Sequence, residues 1–137
     1  MWKLEIVDGA TLDVDEVAGL YRASTLADRR PVEDRETFST MVKKANLTVT
    51  AREEGRLIGY SRSLTDWSYV TYLCDLAVDV AYQRQGIGRE LVRVTQEAAP
   101  RAKIVLLSAP AATAYYPHIG FTQHNSAWVL APLEQPR

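Results

Sequence analysis

The chain has 137 residues, of which 47% are hydrophobic and 24% are charged, and its formal net charge is −1 at pH 7. This length predicts a single domain over residues 1–137, whose core needs neither disulfides nor metals. The near-zero charge argues against a basic field that would draw the chain to nucleic acid or anionic lipid. Cys74 is the single cysteine, which excludes an intramolecular disulfide. Because no apolar run resembles a signal peptide or a membrane span, the sequence predicts a soluble, cytoplasmic protein.

The N-terminal third of the chain predicts one strand followed by two helices. Residues 2–7 alternate weakly in polarity, as a first strand would. Residues 13–24 carry apolar side chains at helical spacing, and either Thr11 or Asp13 can cap this helix. Residues 34–45 repeat the helical spacing and predict a second helix.

The middle of the chain changes from helical to strand periodicity. Residues 47–64 alternate on both sides of Glu54–Gly55, which indicates a β-hairpin. Residues 69–78 predict a further strand that ends shortly before two closely spaced glycines. A helical stripe then runs from residue 87 to 98 and stops before Pro100.

The C-terminal segment predicts two more strands around a short helix. Residues 103–109 form a short apolar run of the kind buried on both faces of a sheet. Residues 112–120 indicate a short helix, and residues 127–131 indicate a last strand. The predicted order is β-α-α-β-β-β-α-β-α-β. This order is typical of an α/β (α+β) protein with a mixed sheet and helices on its faces.

The junction "LAVDVAYQRQGIGREL", residues 76–91, carries the strongest chemical signal. A turn that contains glycine and starts a helix leaves backbone N–H groups unpaired at the positive end of the helix dipole. Gly86 and Gly88 have no side chains that would keep a phosphate from the backbone, and Gln83, Arg84 and Arg89 add donors and charge. The pattern alone also fits an ordinary turn with a solvated basic rim.

Two well-known phosphate motifs do not fit this junction. No Lys-Ser or Lys-Thr pair follows Gly88, which excludes a P-loop. The residues after Gly88 are Arg-Glu, and the motif lies in the middle of the chain, so a dinucleotide-binding fingerprint fits poorly as well.

The junction resembles the acetyl-CoA signature of the GCN5-related N-acetyltransferase (GNAT) family, Q/R-x-x-G-x-G/A after a strand. Residues 83–88, "QRQGIG", fill this pattern, and "YYPHIGF", residues 115–121, is similar to the family's second signature. Val80 departs from the pattern, since the family usually has proline there. Residues 62–78 are further similar to small aralkylamine-type members. The resemblance covers nearly the whole chain.

This resemblance implies a GNAT fold, with a splayed mixed sheet of about six to seven strands and about four helices. It implies acetyl-CoA as the donor substrate and no metal. The pantetheine arm would pair with the backbone of the strand, and the pyrophosphate would lie on the amides of residues 84–89. The residues implied in cofactor binding are Leu76, Ala77, Val78, Gln83, Arg84, Gln85, Gly86, Ile87, Gly88, Arg89 and Tyr115.

Two residues are candidates for catalysis. Tyr116 aligns with the family's tyrosine and would stabilise or protonate the departing thiolate. Asp75 interrupts an apolar strand next to the pantetheine segment, so it is a candidate general base; a structural carboxylate at the splay point fits equally well. A water chain or an acceptor with a low ammonium pKa would also serve, because an alkylammonium has a pKa of about 10.4.

The remaining reactive residues give weaker signals. Cys74 has no evident histidine partner and is better explained as a buried strand thiol. His118 and His124 do not form a recognisable metal motif. Trp67, Tyr69 and Tyr72 could line an acceptor pocket or simply pack on the sheet.

The predicted function is therefore transfer of an acetyl group from acetyl-CoA to a primary amine, by direct attack in a ternary complex. The acceptor would be a small-molecule or lysine-type amine, and the fold is compatible with a homodimer. A non-catalytic acyl-CoA-binding or regulatory module with the same fold is the alternative.

Overall fold

The computed structural model describes all 137 residues, which form two compact units, Met1–Leu107 and Ser108–Arg137. No helix in the chain combines the length and apolar character needed to cross a membrane. The strands are β1 (Lys3–Val7), β2 (Leu47–Glu53), β3 (Arg56–Thr65), β4 (Val70–Val78) and β5 (Lys103–Val105), and the helices are α1 (Val14–Ala23), α2 (Arg35–Lys44), α3 (Ile87–Ala98) and α4 (Tyr115–His118).

The first two helices begin at aspartate caps. The side chain of Asp13 accepts a hydrogen bond from the backbone N–H of Asp15 at 2.9 Å, so Asp13 rather than Thr11 caps α1. Asp34 accepts from the N–H of Thr37 at 3.2 Å at the start of α2. Both caps satisfy N–H groups that have no partner inside their helices, which explains why the helices start where the sequence predicts.

The sheet has five strands in the order β1-β2-β3-β4-β5. The first four strands pair antiparallel, and β4 pairs with β5 in parallel. The hairpin between β2 and β3 turns at Glu54 and Gly55, whose φ angles are 50° and 83°. Two adjacent positive φ angles are typical of a type I′ turn, which confirms the predicted hairpin.

The core of the first unit lies on both faces of this sheet. On one face, α1 and α2 pack Tyr21 and Phe38 edge to face, with ring centroids 4.9 Å apart, beside Tyr60 of β3. On the other face, Ile87 and Leu91 of α3 pack against apolar residues of β2 and β3.

Gly59 on β3 allows α3 to approach the sheet closely. A Cβ at this position would lie 2.9 Å from Cγ2 of Ile87 and 3.3 Å from Cδ1 of Leu91. These separations are shorter than ordinary carbon contacts, so only glycine fits without displacing the helix. The start of α3 is thereby fixed against the strand.

Two predictions about the C-terminal strands are wrong. The strand predicted over residues 103–109 covers only β5 and is not buried on both faces, since Val105 is 43% and Leu107 53% exposed. Only three residues of this segment pair with β4, and the rest of the predicted strand has no strand partner. Residues 127–131 form no strand, and Trp128 is 92% exposed. An apolar pattern becomes a strand only where a partner edge pairs with it, and this stretch has none, so the sheet has five strands instead of six or seven.

Candidate functional site

Strand β4 has an open edge where it continues beyond its partner. Along β3 it pairs from Thr71 to Val78, but along β5 it pairs only at Val70, Tyr72 and the residue between them. The side of β4 that faces β5 therefore has no strand partner from residue 73 to 78. This unpaired side of the strand is termed the open β4 edge below. An extended ligand can pair with the backbone groups of such an edge. The predicted pantetheine-binding residues, Leu76, Ala77 and Val78, all lie on it.

A β-bulge separates the paired and open parts of β4. Arg62 of β3 lies opposite Asp75, while the next residue, Ser63, lies opposite Leu73, so Cys74 is the extra residue. A bulge bends its strand and increases the local twist. The sheet therefore opens at the position where the ladder with β5 ends.

The loop that follows the open edge is anchored by Asp79 and Gln83. The N–H of Asp79 donates to the carbonyl of Ile58 at 2.9 Å, and its carboxylate accepts from the N–H of Ala81 at 2.9 Å. Arg56 forms an ion pair with the same carboxylate at 3.3 Å. Gln83 donates from Nε2 to the carbonyl of Val78 at 3.1 Å, so its side chain braces the loop against the end of β4. The family's usual proline is thus replaced by Val80 in a loop held by hydrogen bonds.

The glycine turn presents the start of α3 to solvent. Arg84 and Gly86 have φ angles of 66° and 88°, and Gly86 caps α3 without any side-chain hydrogen bond. A Cβ built on Gly86 would meet no atom within 4 Å, so there is space directly above the turn. The first N–H groups of the helix point toward this end and carry the positive end of its dipole. The turn has the geometry that an anionic group such as a phosphate requires.

The predicted phosphate-binding residues differ in exposure. Arg84, Gln85, Gly86 and Arg89 are exposed and can contact a ligand with side-chain or backbone atoms. Ile87 is 1% exposed and packs in the core below α3, and Gly88 is also buried. These two can contribute only backbone N–H groups.

Asp75 is the centre of a buried charged cluster on the sheet face covered by α1 and α2. Its side chain is 0% exposed and accepts hydrogen bonds from Tyr21 Oη at 2.5 Å and from Arg62 Nε at 2.7 Å. Arg30, from the loop between α1 and α2, donates from Nε to the other carboxylate oxygen and from Nη2 to the carbonyl of Cys74 at 3.1 Å. Tyr21, Arg30, Arg62 and Asp75 are termed the Asp75 cluster below.

The cluster keeps Asp75 ionised. Burial raises the pKa of this carboxyl, but the charge of Arg62 and the hydrogen bonds from Tyr21 and Arg62 outweigh burial, and the net pKa is lowered. Burial and the charge of Asp75 together raise the pKa of Tyr21 well above its usual value. The phenol is thus a neutral donor and the carboxylate a weak proton acceptor at neutral pH.

The sequence did not identify Arg30 and Arg62 as members of the site. Arg30 lies in a loop of mixed charge, and Arg62 is a single arginine in a predicted strand. Neither context indicates a functional residue by itself. The available signal was Asp75 itself, because a carboxylate inside a buried apolar strand requires a cationic partner.

Cys74 does not have the environment of a nucleophile. Its side chain is half-buried, and burial is the main reason that its thiol pKa is raised, with Arg62 acting in the opposite direction. A raised pKa leaves little thiolate at neutral pH. The thiol donates weakly to the carbonyl of Tyr72 at 3.5 Å, as expected of a strand cysteine.

The aromatic residues considered for an acceptor pocket are all exposed. Trp67 is 50%, Tyr69 66% and Tyr72 38% exposed. Tyr69 accepts a hydrogen bond from Lys103 at 3.0 Å, and the ammonium also lies 4.4 Å from its ring centre. Tyr72 lies opposite Leu64 in the ladder between β3 and β4.

The two predicted tyrosines lie in the second unit, on α4. Tyr116 packs edge to face with Tyr115 and with Phe121, at centroid distances of 5.3 and 5.4 Å. The carbonyl of Tyr116 accepts from the N–H of Phe121 at 2.9 Å, which closes the turn after the helix. Both tyrosines are half-buried. His124 in the same unit bonds to Ser126 at 2.8 Å, and no group of three or more candidate metal ligands occurs in the chain.

Comparisons with solved structures show the same fold. A probable acetyltransferase from meticillin-resistant Staphylococcus aureus superposes with a TM-score of 0.76 at 20% identity, covering 96% of this chain and 100% of that chain. A GNAT family acetyltransferase from Streptococcus pneumoniae TIGR4 gives 0.74 at 19% identity, covering 95% and 98%. An aminoglycoside N-acetyltransferase solved in complex with CoA gives 0.72 at 14% identity, covering 96% and 94%.

Sequence comparison gives the family directly. None of the curated proteins compared matches the chain. The model of the acetyltransferase (GNAT) domain matches residues 23–130, which is well over half of the chain. The open β4 edge and the glycine turn both lie within the matched residues. The chain therefore belongs to the GNAT acetyltransferase family.

Proposed function

We propose that the chain is an N-acetyltransferase that transfers the acetyl group of acetyl-CoA to a primary amine by direct attack in a ternary complex. The observation that carries this proposal is the continuity of the open β4 edge with the uncapped start of α3. The open β4 edge suits an extended arm that contains amides, and the start of α3 suits a pyrophosphate. Coenzyme A contains both groups in that order. The CoA bound to one of the structural relatives agrees with this assignment.

Within this proposal the binding residues divide by the part of CoA that they contact. The backbone of Leu76, Ala77 and Val78 would pair with the pantetheine amides. Backbone N–H groups from Arg84 to Arg89 would hold the pyrophosphate, with Arg84 and Arg89 adding charge. Gln83 would act mainly by bracing the loop, and Tyr115 would form a wall of the site.

The reaction requires one bond to form and one to break. The amine nitrogen forms a bond to the thioester carbonyl carbon, and the carbon–sulfur bond breaks to release a thiolate. Tyr116 would donate a hydrogen bond or proton to that thiolate, whose pKa of about 8.5 is close enough to a tyrosine's pKa of about 10. The role of Tyr116 stays a prediction.

The proton of the acceptor ammonium needs another route than Asp75. A carboxylate with a lowered pKa and cationic partners takes up a proton poorly. In this proposal Asp75 positions Arg30 and Arg62. The ammonium proton leaves through water, or the acceptor has a low ammonium pKa and is already partly neutral. The aralkylamine-type resemblance stays a prediction about that acceptor.

Two measurements test the proposal. Acetyl-CoA should raise the melting temperature by mass action, because a hundredfold excess over Kd adds about 2.7 kcal/mol to the free energy of unfolding. Release of CoA thiol should then depend on an added amine, measured across polyamines, arylalkylamines, amino sugars, amino acids and lysine peptides. No melting shift at millimolar acetyl-CoA would overturn the proposal. A shift without turnover of any amine would favour the non-catalytic binding module.

A further inference from the structure

The Asp75 cluster carries more positive than negative charge. Arg30 and Arg62 share one carboxylate, and Tyr21 is neutral because its pKa is raised, so the cluster has an excess of one positive charge. The acidic residues of the adjoining loop do not pair with either arginine: Glu33 pairs with Arg22 at 3.1 Å, Asp34 caps α2, and Asp28 is exposed and forms no ion pair. A partly buried cation without a full complement of anions attracts an anionic ligand.

The cluster lies beside the part of the open β4 edge where the acyl end of the donor would be. If the pyrophosphate lies at the start of α3 and the arm runs back along Val78, Ala77 and Leu76, its far end reaches Asp75 and Cys74. Arg30 donates to the carbonyl of Cys74 at this point, and its side chain is 24% exposed. Arg62 is 12% exposed and uses Nε for Asp75, which leaves the other two nitrogens of its guanidinium outside that bond.

An exposed apolar shelf continues from the cluster along the same face of the sheet. Leu64 follows Arg62 by two residues on β3, so both side chains lie on one face, and Tyr72 lies opposite Leu64. Leu64 is 47% and Tyr72 38% exposed. Burial is the main reason that the pKa of Tyr72 is raised, and the charges of Arg30 and Arg62 act in the opposite direction. A cationic group and an apolar surface thus lie side by side.

The same face also carries a buried hydroxyl whose bonding is incomplete. Tyr60 precedes Arg62 by two residues, is fully buried, and its Oη has no hydrogen-bond partner. Burial is the main reason that the pKa of Tyr60 is raised, and Arg62 and Asp75 act on it in opposite directions, so the hydroxyl lies within the field of these two charges. A donor left unsatisfied near Arg62 adds to the demand for an acceptor group at this place.

We infer that the acceptor is an α-amino acid with an apolar or aromatic side chain, whose carboxylate is held by Arg62 and Arg30 and whose side chain lies on Leu64 and Tyr72. This inference rests on the proposed function and specifies its acceptor. The carboxylate satisfies the excess charge, and the amine of the same molecule lies next to it and faces the thioester.

The inference separates this chain from relatives that act on polycations. Two of the solved relatives are named as aminoglycoside acetyltransferases. An aminoglycoside or a polyamine brings several positive charges, which the excess charge of Arg30 and Arg62 would repel. Such amines are therefore expected to be poor acceptors of this protein.

The test compares acceptors with and without the carboxylate. L-phenylalanine is compared with L-phenylalaninamide and phenethylamine, with spermidine as the polycation, by CoA thiol release on the full-length protein. We expect kcat/KM for L-phenylalanine to exceed that for the amide by about tenfold or more, which is the effect of one charge-assisted hydrogen bond. The amide has the more acidic ammonium, so intrinsic reactivity opposes this preference.

Variants then assign the preference to the cluster. Arg30→Gln should lower the ratio of L-phenylalanine to L-phenylalaninamide toward one, mainly through KM, and Arg30→Lys should restore part of it. Arg29→Gln is the matched control, because it removes an equal charge from the neighbouring exposed position and should leave the ratio unchanged. The melting shift with acetyl-CoA shows that each variant is folded.

The outcomes distinguish the acceptor from the proposed function. Equal or faster turnover of the amide, phenethylamine or spermidine overturns the amino-acid assignment while the acetyltransferase function stands. An unchanged ratio in Arg30→Gln, or an equal fall in Arg29→Gln, overturns the role of the cluster. Acetyl-CoA binding without turnover of any of these amines overturns the amino-acid assignment, and absence of the melting shift overturns the proposed function itself.

Discussion

Tyr21 on α1 donates its hydroxyl hydrogen to Asp75 on β4 across 2.5 Å, over a separation of 54 residues in the chain. The carboxylate is ionised, so this bond is charge-assisted and joins the first helix to the strand that carries the open edge. The ring of Tyr60 lies 5.9 Å from that of Tyr21 and is equally buried, yet its hydroxyl has no partner. The two tyrosines share one environment and differ in one bond.

Replacing each tyrosine by phenylalanine should therefore have different effects on stability. Tyr21→Phe should lower the free energy of unfolding by about 1.5–3 kcal/mol, because it removes a hydrogen bond to a charged group. Tyr60→Phe should leave it unchanged or raise it by up to about 1 kcal/mol, because it removes a buried hydroxyl that forms no bond. Urea denaturation of both variants measures the difference, and equal losses would contradict the hydrogen-bond assignment.

Asp75→Asn should destabilise the protein strongly while preserving the shape of the side chain. Arg30 and Arg62 would remain partly buried without their counter-charge, and removing one partner of a buried ion pair costs about 3–5 kcal/mol. Asp15→Asn is a suitable control, since Asp15 is also ion-paired, with Arg35, but is exposed. Its effect on the urea midpoint should be much smaller, and a similar effect would show that the Asp75 cluster adds little to stability.

The same carboxylate predicts a loss of stability in acid. The pKa of Asp75 is lowered in the folded state, so its contribution is complete above the unfolded value of about 3.9 and is lost as the pH falls below that value through the folded pKa. Urea midpoints measured from pH 7 down to pH 2.5 should fall more steeply below pH 4 in the wild type than in Asp75→Asn. Parallel curves would indicate that Asp75 is not ion-paired.

The local elements of the fold could be predicted because their signals are local. The turn at Glu54 and Gly55 and the aspartate caps of α1 and α2 each depend on residues within one turn of the chain. The strand predicted at residues 127–131 could not be judged in this way. Its apolar pattern is real, but a strand also requires a partner edge, and the sequence does not state which edges are available.

The site could be predicted only in part for the same reason. The glycine turn is contiguous in sequence, so its position at the start of α3 followed from the motif. The partners of Asp75 come from positions 54, 45 and 13 residues away. They are brought together by helix packing and by the bulge at Cys74, which no local pattern specifies.

Gly59→Ala should lower the free energy of unfolding by about 1–3 kcal/mol, because the added methyl would collide with Ile87 and Leu91 of α3. Gly19→Ala provides a control of opposite sign. Gly19 lies inside α1 with nothing within 4 Å of a Cβ, so alanine there should stabilise by about 0.5–1 kcal/mol. Thermal or urea denaturation measures both, and a neutral Gly59→Ala would show that α3 can shift without cost.

Gly86→Glu should abolish the melting shift caused by acetyl-CoA. The substitution places a side chain and a negative charge in the space above the start of α3, where the pyrophosphate is proposed to lie. Gly55→Glu is its matched control, since Gly55 also has a positive φ and open space around its Cβ but lies in the distant hairpin turn. Both variants should lose similar intrinsic stability, and only Gly86→Glu should lose the response to acetyl-CoA. An equal response in both would remove Gly86 from the donor site.

Tyr116→Phe should lower turnover roughly 10²-fold while the melting shift with acetyl-CoA remains, because the change removes a donor to the departing thiolate and leaves the donor-binding backbone intact. Tyr115→Phe serves as the control, since its hydroxyl has no proposed part in the proton transfer. Both rings keep their edge-to-face contact in these variants, so packing on α4 is preserved. CoA thiol release at saturating acetyl-CoA, with the best acceptor of the panel, measures the effect. Unchanged turnover in Tyr116→Phe, or an equal fall in Tyr115→Phe, would exclude Tyr116 as the group that protonates the thiolate.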